Sequence, residues 1–195
     1  MTPSLPDIMA GHLSVVFCGI NPGLSAAASG HHFAGRGNRF WRVIHRAGFT
    51  PREIDPRDDG TILQHQCGLT TLVGRPTARA DQVSATEFLA AAALFKHKMA
   101  RYAPRYVAFL GKAAYCAISG QRGITWGPQS RTLANAAVWV LPNPSGRNRT
   151  FSIDQLVDAY RWFYKVLGST SPVLLPGNCF SREEQASAGE GSNAA

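Results

Sequence analysis

A three-layer α/β/α sandwich around a short, mainly parallel central sheet is the fold this sequence predicts, and three patterns predict it. Short apolar runs rich in β-branched residues alternate with segments of helical period; runs so uniformly apolar suit strands buried on both faces, as in a parallel sheet. Strand-then-helix alternation demands crossovers, and these place helices on both faces. Loops of Gly, Pro, Asn and Ser follow the first and last of the long strands, at residues 19–25 and 143–149. They are expected to share one rim of the sheet, where open α/β sheets bind their ligands.

At 195 residues the chain reads as one domain, residues 13–167, with an N-terminal arm, residues 1–12, and a disordered tail, residues 168–195. The arm carries Pro3 and Pro6 and no clear period, so its packing is left open. Residues 13–18 form the first strand. Residues 25–37 are dense in Ala, Gly and His and read as a structured but irregular surface segment. Asn38 then caps a helix through Phe40, Trp41, Ile44 and His45 that stops at Gly48. After a charged, turn-rich stretch at 51–59 and a helical piece at 61–66, residues 67–73 supply a second strand.

Ser84-Ala85-Thr86-Glu87 is a capping box, with Phe88, Leu89, Ala92, Phe95 and Met99 as the apolar face of a helix reaching Arg101, closed by Pro104. Residues 106–110 are the third strand, passing through Gly111-Lys112 into a short helix that ends near Ser119-Gly120. Residues 121–135 hold an irregular turn or a minor strand. Residues 137–141 are the fourth long strand. Ser152-Ile153-Asp154-Gln155 caps the last helix, whose buried stripe is Leu156, Tyr160, Phe163 and Leu167 and which ends at Gly168. Phe40, Trp41, Trp139 and Trp162 fall on the apolar periods of their elements and are assigned to the core.

Composition narrows the function classes. No apolar run approaches the roughly eighteen residues of a spanning helix, and no signal-peptide pattern opens the chain, so a cytoplasmic location is expected. The 4 cysteines, Cys18, Cys67, Cys116 and Cys179, form no C-x-x-C pair; free thiols are expected, with no disulfide, zinc, iron–sulfur cluster or other cofactor. The net charge is +8, and because Arg182 against Glu183, Glu184 and Glu190 leaves the tail at −2, residues 1–167 carry +10. A body this basic favours a polyanionic partner.

The Gly-rich segments are not nucleotide loops. Tyr106 stands where a phosphate loop ending in Gly111-Lys112 would need its first Gly, and Phe40 stands where a dinucleotide loop at Gly35-Arg36-Gly37 would need Gly or Ala. Asn21, at the mouth of the first strand, has an amide that can hold a water through its carbonyl oxygen but is too weak a base to deprotonate it. Asn beside Pro is equally an ordinary turn residue. His31 and His32 are read as solvent-facing, the alternatives being proton donors or phosphate contacts.

Gly19-Ile20-Asn21-Pro22-Gly23-Leu24-Ser25, Gly30-His31-His32-Phe33, Asn38-Arg39-Phe40-Trp41 and Asn143-Pro144-Ser145-Gly146 together resemble the mismatch-specific uracil-DNA glycosylase and thymine-DNA glycosylase family of the uracil-DNA glycosylase superfamily. The similarity runs from about Leu13 to Leu167. It implies a monofunctional enzyme that flips uracil, preferentially opposite guanine, from double-stranded DNA and hydrolyses its glycosidic bond without metal or redox cofactor; a monomer is expected, since an enzyme that engages one lesion needs only one copy. Asn21 would position the attacking water and Phe33 would stack on the extruded base. Backbone N–H groups around Ile20 and Phe33 would hydrogen-bond that base, with Gly23, Ala26, Asn143 and Ser145 completing its pocket.

Gly146, Arg147, Asn148 and Arg149 match the family's insertion loop, which fills the gap left in the duplex. Many bacterial members resemble Gly-Leu-Ser-Arg there; Arg147 and Ala26 look more like the thymine-DNA glycosylase side. Ala26 is either a small residue that leaves room for a thymine methyl or plain spacer. Arg36, Arg39, Gly111 and Lys112 are either phosphate contacts or a solvated basic rim. Two rivals remain: a glycosylase for another damaged base, such as hypoxanthine, xanthine or an etheno adduct of cytosine, and a non-catalytic DNA-binding protein on the same scaffold.

Overall fold

A computed structural model of the chain describes residues 5–78 and 82–169. The tail beyond residue 169, with Cys179, lies outside the described residues.

Five strands form the sheet: β1 (Val15–Gly19), β2 (Cys67–Thr71), β3 (Tyr106–Leu110), β4 (Gly127–Pro128) and β5 (Ala137–Leu141), in the order β2-β1-β3-β5-β4. The four long strands are parallel, and the two-residue β4 runs antiparallel to β5. Val15 pairs with both Cys67 and Tyr106, and Tyr106 with Ala137, so the strands are level and their carboxyl ends meet along one rim.

Alternate side chains leave the sheet on opposite faces. Phe17, Leu69, Ala108, Leu110, Trp139 and Leu141 enter the core shared with α2 (Phe40–Ala47) and α5 (Ile153–Gly168). Val16, Cys18, Val107, Phe109, Val138 and Val140 enter the core shared with α3 (Ala85–Tyr102) and α4 (Lys112–Ser119). The three-layer sandwich expected from the alternation is therefore present. Phe17 is fully buried against the rings of Phe40, Phe49 and Tyr160; truncation of such a residue to Ala costs about 3–5 kcal/mol.

Several local expectations are corrected. Residues 24–29, expected to be irregular, form a short helix, α1 (Leu24–Ser29), stopped by Gly30 in the left-handed region. Arg39, not Asn38, is the cap residue of α2, although the Asn38 Oδ1 accepts the Phe40 N–H at 3.0 Å. The helical piece at 61–66 starts earlier, as 3-10 turns over Pro56–His65, and β2 ends at Thr71 rather than residue 73. Leu89 points to solvent, 69% exposed, because α3 lies with Phe95 and Met99 inward. Gly168 lies inside α5, whose cap is Ser169. Trp162 is half-buried, whereas Phe40, Trp41 and Trp139 are buried as expected.

The arm packs from residue 5 onward. Ile8 exchanges both backbone hydrogen bonds with Leu69, at 2.9 and 2.8 Å, along the outer edge of β2. Asp7 pairs with the Lys98 ammonium at 2.6 Å and accepts the Thr70 hydroxyl.

Candidate active site

The loops at 19–25 and 143–149 line one cleft of about 890 Å³ at the carboxyl rim, together with residues 32–39 and Thr77. They share this rim as the topology required.

Asn21 leaves β1 where the ladder ends and lines the cleft. Its Nδ2 donates to Pro22 O at 3.1 Å, to Arg75 O at 3.2 Å and to Thr77 Oγ1 at 2.7 Å. Two of these partners are carbonyl oxygens that can only accept, so the amide's orientation follows from its surroundings. Oδ1 has no partner among the described residues and is left as an acceptor in the cleft. Thr77 is held in turn, its N–H on Pro22 O at 3.1 Å and its backbone bridged to Gly23. Arg75 is fixed by Glu87, with Nε to Oε1 at 2.5 Å and Nη2 to Oε2 at 3.0 Å. That guanidinium, with the Ser84 N–H and hydroxyl, holds the Glu87 carboxyl down at about 2. No local pattern in the sequence pointed to Thr77 or Arg75, which lie more than fifty positions from Asn21.

Phe33 lines the same cleft, half-buried, with φ +57. A left-handed backbone is uncommon at a bulky residue and persists where the surroundings over-determine it. Its ring stacks on Phe40 with centroids 4.0 Å apart and planes at 24°. The preceding residue is tied on every side: the His32 N–H donates to Asp59 Oδ2 at 2.7 Å, His32 Nε2 donates to Pro6 O at 2.9 Å, and the Trp41 indole N–H donates to His32 O at 3.1 Å. His32 is therefore not solvent-facing; it is 2% exposed, and burial pushes its pKa below the ordinary histidine value. His31 is partly exposed, with Nδ1 3.4 Å from Asp59 Oδ1.

The 143–149 loop is held from within and from without. The Asn143 Oδ1 accepts the Ser145 N–H at 2.9 Å, and the Asn148 Nδ2 donates to Asn143 O at 2.8 Å. Gly146 abuts Gly37 so closely that a Cβ there would overlap the Gly37 carbonyl. Arg39 crosses from the α2 cap: its Nη1 donates to Phe151 O at 2.8 Å, and its Nη2 to Ser145 O at 3.1 Å and Asn148 O at 2.8 Å. The Arg39 Nε is buried without a partner. Of the two readings given for Arg39, phosphate contact or solvated basic rim, the geometry matches neither simply: its donors face carbonyls of its own chain and brace the loop.

Gly111 and Lys112 are also reassigned. The Gly111 N–H bonds Leu141 O at 2.8 Å, at φ +112, and the Lys112 ammonium lies 4.6 Å from the Trp126 ring centroid, so neither lines the cleft. Ile20, Gly23, Ala26, Asn143 and Ser145 do line it, with the loop residues Gly146, Arg147, Asn148 and Arg149. Arg36, Arg147 and Arg149 are exposed cations at its mouth. No Asp, Glu or Lys is among its described lining residues. Such a site attracts an anionic ligand and offers it neither a carboxylate base nor an amine nucleophile.

No cluster of three or more metal-ligating side chains occurs among the described residues. Cys18 and Cys67 are buried free thiols, held protonated by burial, the second at about 12.

A family model, the Uracil DNA glycosylase superfamily, matches residues 6–164. Among solved structures, a candidate uracil DNA glycosylase from Methanosarcina acetivorans, determined by solution NMR, superposes with a TM-score of 0.59 at 16% sequence identity, covering 86% of this chain and 99% of that one. At that identity the likeness shows a shared fold.

Proposed function

We propose, from the premise that this chain belongs to the uracil DNA glycosylase superfamily, that it is a DNA glycosylase that extrudes uracil mispaired with guanine from duplex DNA and hydrolyses its N-glycosidic bond. The observation that carries this reading is the Asn21 amide, its nitrogen occupied by three acceptors and its oxygen left for a water.

In this reaction the bond from C1′ to the pyrimidine nitrogen breaks first. Positive charge grows on the sugar and negative charge on the departing base. Water held by Asn21 Oδ1 adds to C1′ and releases its proton to solvent, while the departing uracil anion takes up a proton from solvent, leaving an abasic site and free uracil. Backbone N–H groups of Ile20 and Phe33 receive the base's charge, and the Phe33 ring covers its face. Asn cannot act as a general base, so the chemistry is slow, which a mismatch enzyme tolerates because a wobble-paired base is cheaper to extrude than a fully paired one. The absence of a lysine from the described lining favours hydrolysis without strand cleavage. Thymine and etheno-cytosine are the further substrates to be tested, thymine because the small Ala26 lines the cleft.

Single-turnover cleavage of duplexes carrying G·U, A·U or G·T and of single-stranded uracil, with enzyme in excess, tests this. G·U is expected to react fastest, and Asn21→Ala to retain duplex binding while losing at least about a hundredfold in rate, the scale of a misplaced reacting group. Duplex binding without release of uracil in any context would leave a non-catalytic scaffold, or a glycosylase for another damaged base, in its place.

A further inference from the structure

Residues 37–40 touch both walls of the cleft. Phe40, fully buried, stacks on Phe33 at 4.0 Å; Gly37 abuts Gly146; the Arg39 N–H donates to Pro144 O at 3.0 Å; and the Arg39 guanidinium reaches Ser145, Asn148 and Phe151. The loop's own polar groups are already engaged among themselves, with the Asn148 N–H on Ser145 O at 3.0 Å and the Arg147 N–H on Ser145 Oγ at 3.3 Å. Its beginning is anchored by the Tyr160 hydroxyl, which donates to Pro142 O at 3.0 Å. Beside the Gly37 contact and the Arg39 N–H, which hold Gly146 and Pro144, the fork of Arg39 is what ties Ser145, Asn148 and Phe151 to the segment that carries the ring stacked on Phe33.

We infer that Arg39 is a positioning residue that locks the 143–151 segment at a fixed separation from the Phe33 ring, so that the loop enters the duplex already shaped to the gap left by an extruded base. The inference rests on the glycosylase reading above. A planar fork with five donors can serve three carbonyls spread over seven residues; a lysine ammonium, a compact charge on a flexible stem, cannot hold the same three in register. A loop ordered in advance loses less conformational freedom on binding, and that difference appears only where the loop is used, at a gap, and not on intact duplex.

The test compares binding to a duplex with a tetrahydrofuran abasic analogue opposite guanine and to the same duplex fully paired, across a salt series. Native protein is expected to prefer the abasic duplex. Arg39→Lys is expected to weaken that binding about tenfold while binding to paired duplex stays within twofold and the salt slope is unchanged. Hydrogen exchange at the Ser145, Arg147, Asn148 and Thr150 amides is expected to accelerate in Arg39→Lys while α5 stays protected. Gly146→Ala, which drives a Cβ into the Gly37 carbonyl and leaves Arg39 in place, supplies a second variant that is expected to lose the gap preference. Equal weakening on both duplexes, with a slope shallower by about 0.9, would make Arg39 a phosphate contact and overturn the inference. So would unchanged gap preference or unchanged exchange in Arg39→Lys. Native protein that neither prefers the abasic duplex nor releases uracil would overturn the glycosylase reading itself, a result visible before any variant is made.

Discussion

An amide cannot take a proton from water, so in the proposed reaction Asn21 would contribute by where its oxygen sits, and that is decided by what its nitrogen is bonded to. Thr77 supplies the shortest of those bonds, at 2.7 Å. Thr77→Val keeps the shape and removes the acceptor; single-turnover kinetics are expected to show a rate about tenfold lower, half-saturation within twofold of native, and recovery in Thr77→Ser. His32 titrates against the fold. Burial lowers its pKa in the folded protein despite Pro6 O, Asp59 and Asp7, with Lys98 adding to the lowering, so the unfolded chain binds the proton more tightly. Stability is then full above the unfolded value of 6.5 and falls as pH drops from there through the folded pKa. Thermal melts are expected to show native protein losing more between pH 7 and pH 5 than His32→Gln. That Asn21 and Phe33 would share one cleft was legible in the sequence because their neighbours are distinctive. Thr77 and Asp59 were not, because each meets its partner only through the fold, and the bracing contacts of Arg39 were not, because a guanidinium suits a carbonyl as readily as a phosphate.

Helices were legible where their ends are written in side chains. Ser152 accepts the Gln155 N–H at 3.1 Å while the Gln155 side chain accepts the Ser152 N–H at 2.7 Å, the reciprocal pattern its sequence announces. Ser152→Ala is expected to cost about 1 kcal/mol, read as a melting temperature lower by roughly 2–4 °C for a chain of this size. The Ser84 box does more than start α3, because its Glu87 also grips Arg75, whose carbonyl helps aim Asn21. α1 was missed for the opposite reason: Leu-Ser-Ala-Ala-Ala-Ser has no apolar period, and its turns are held by Ala26 and Ala27 packed against the body. Leu89 was misplaced because i, i+3 and i+4 spacing marks a helix face without saying how far round the core extends. The long strands were all found, since runs buried on both faces leave little else for their sequence to be.

Across the whole molecule, charge and topology converge on the same rim. Arg36, Arg147 and Arg149 stand at the cleft mouth of a chain whose net charge is +8, and no carboxylate lines that cleft among the described residues. Duplex affinity is expected to fall linearly with the logarithm of salt concentration, and replacement of any one of these three arginines by Gln to reduce the slope by about 0.9, as read by fluorescence anisotropy across a salt series. Both edges of the sheet that supports this rim are blunted among the described residues. An open strand edge is a template on which another chain can add itself, the route to fibrils and amorphous precipitate. Ile8 occupies the N–H and C=O of Leu69 on one side, and on the other the outermost strand is two residues long and includes Pro128, which has no N–H to offer. Were the protein crowded along a polyanion by its charge, it would meet its neighbours with both edges of the described sheet blunted in this way.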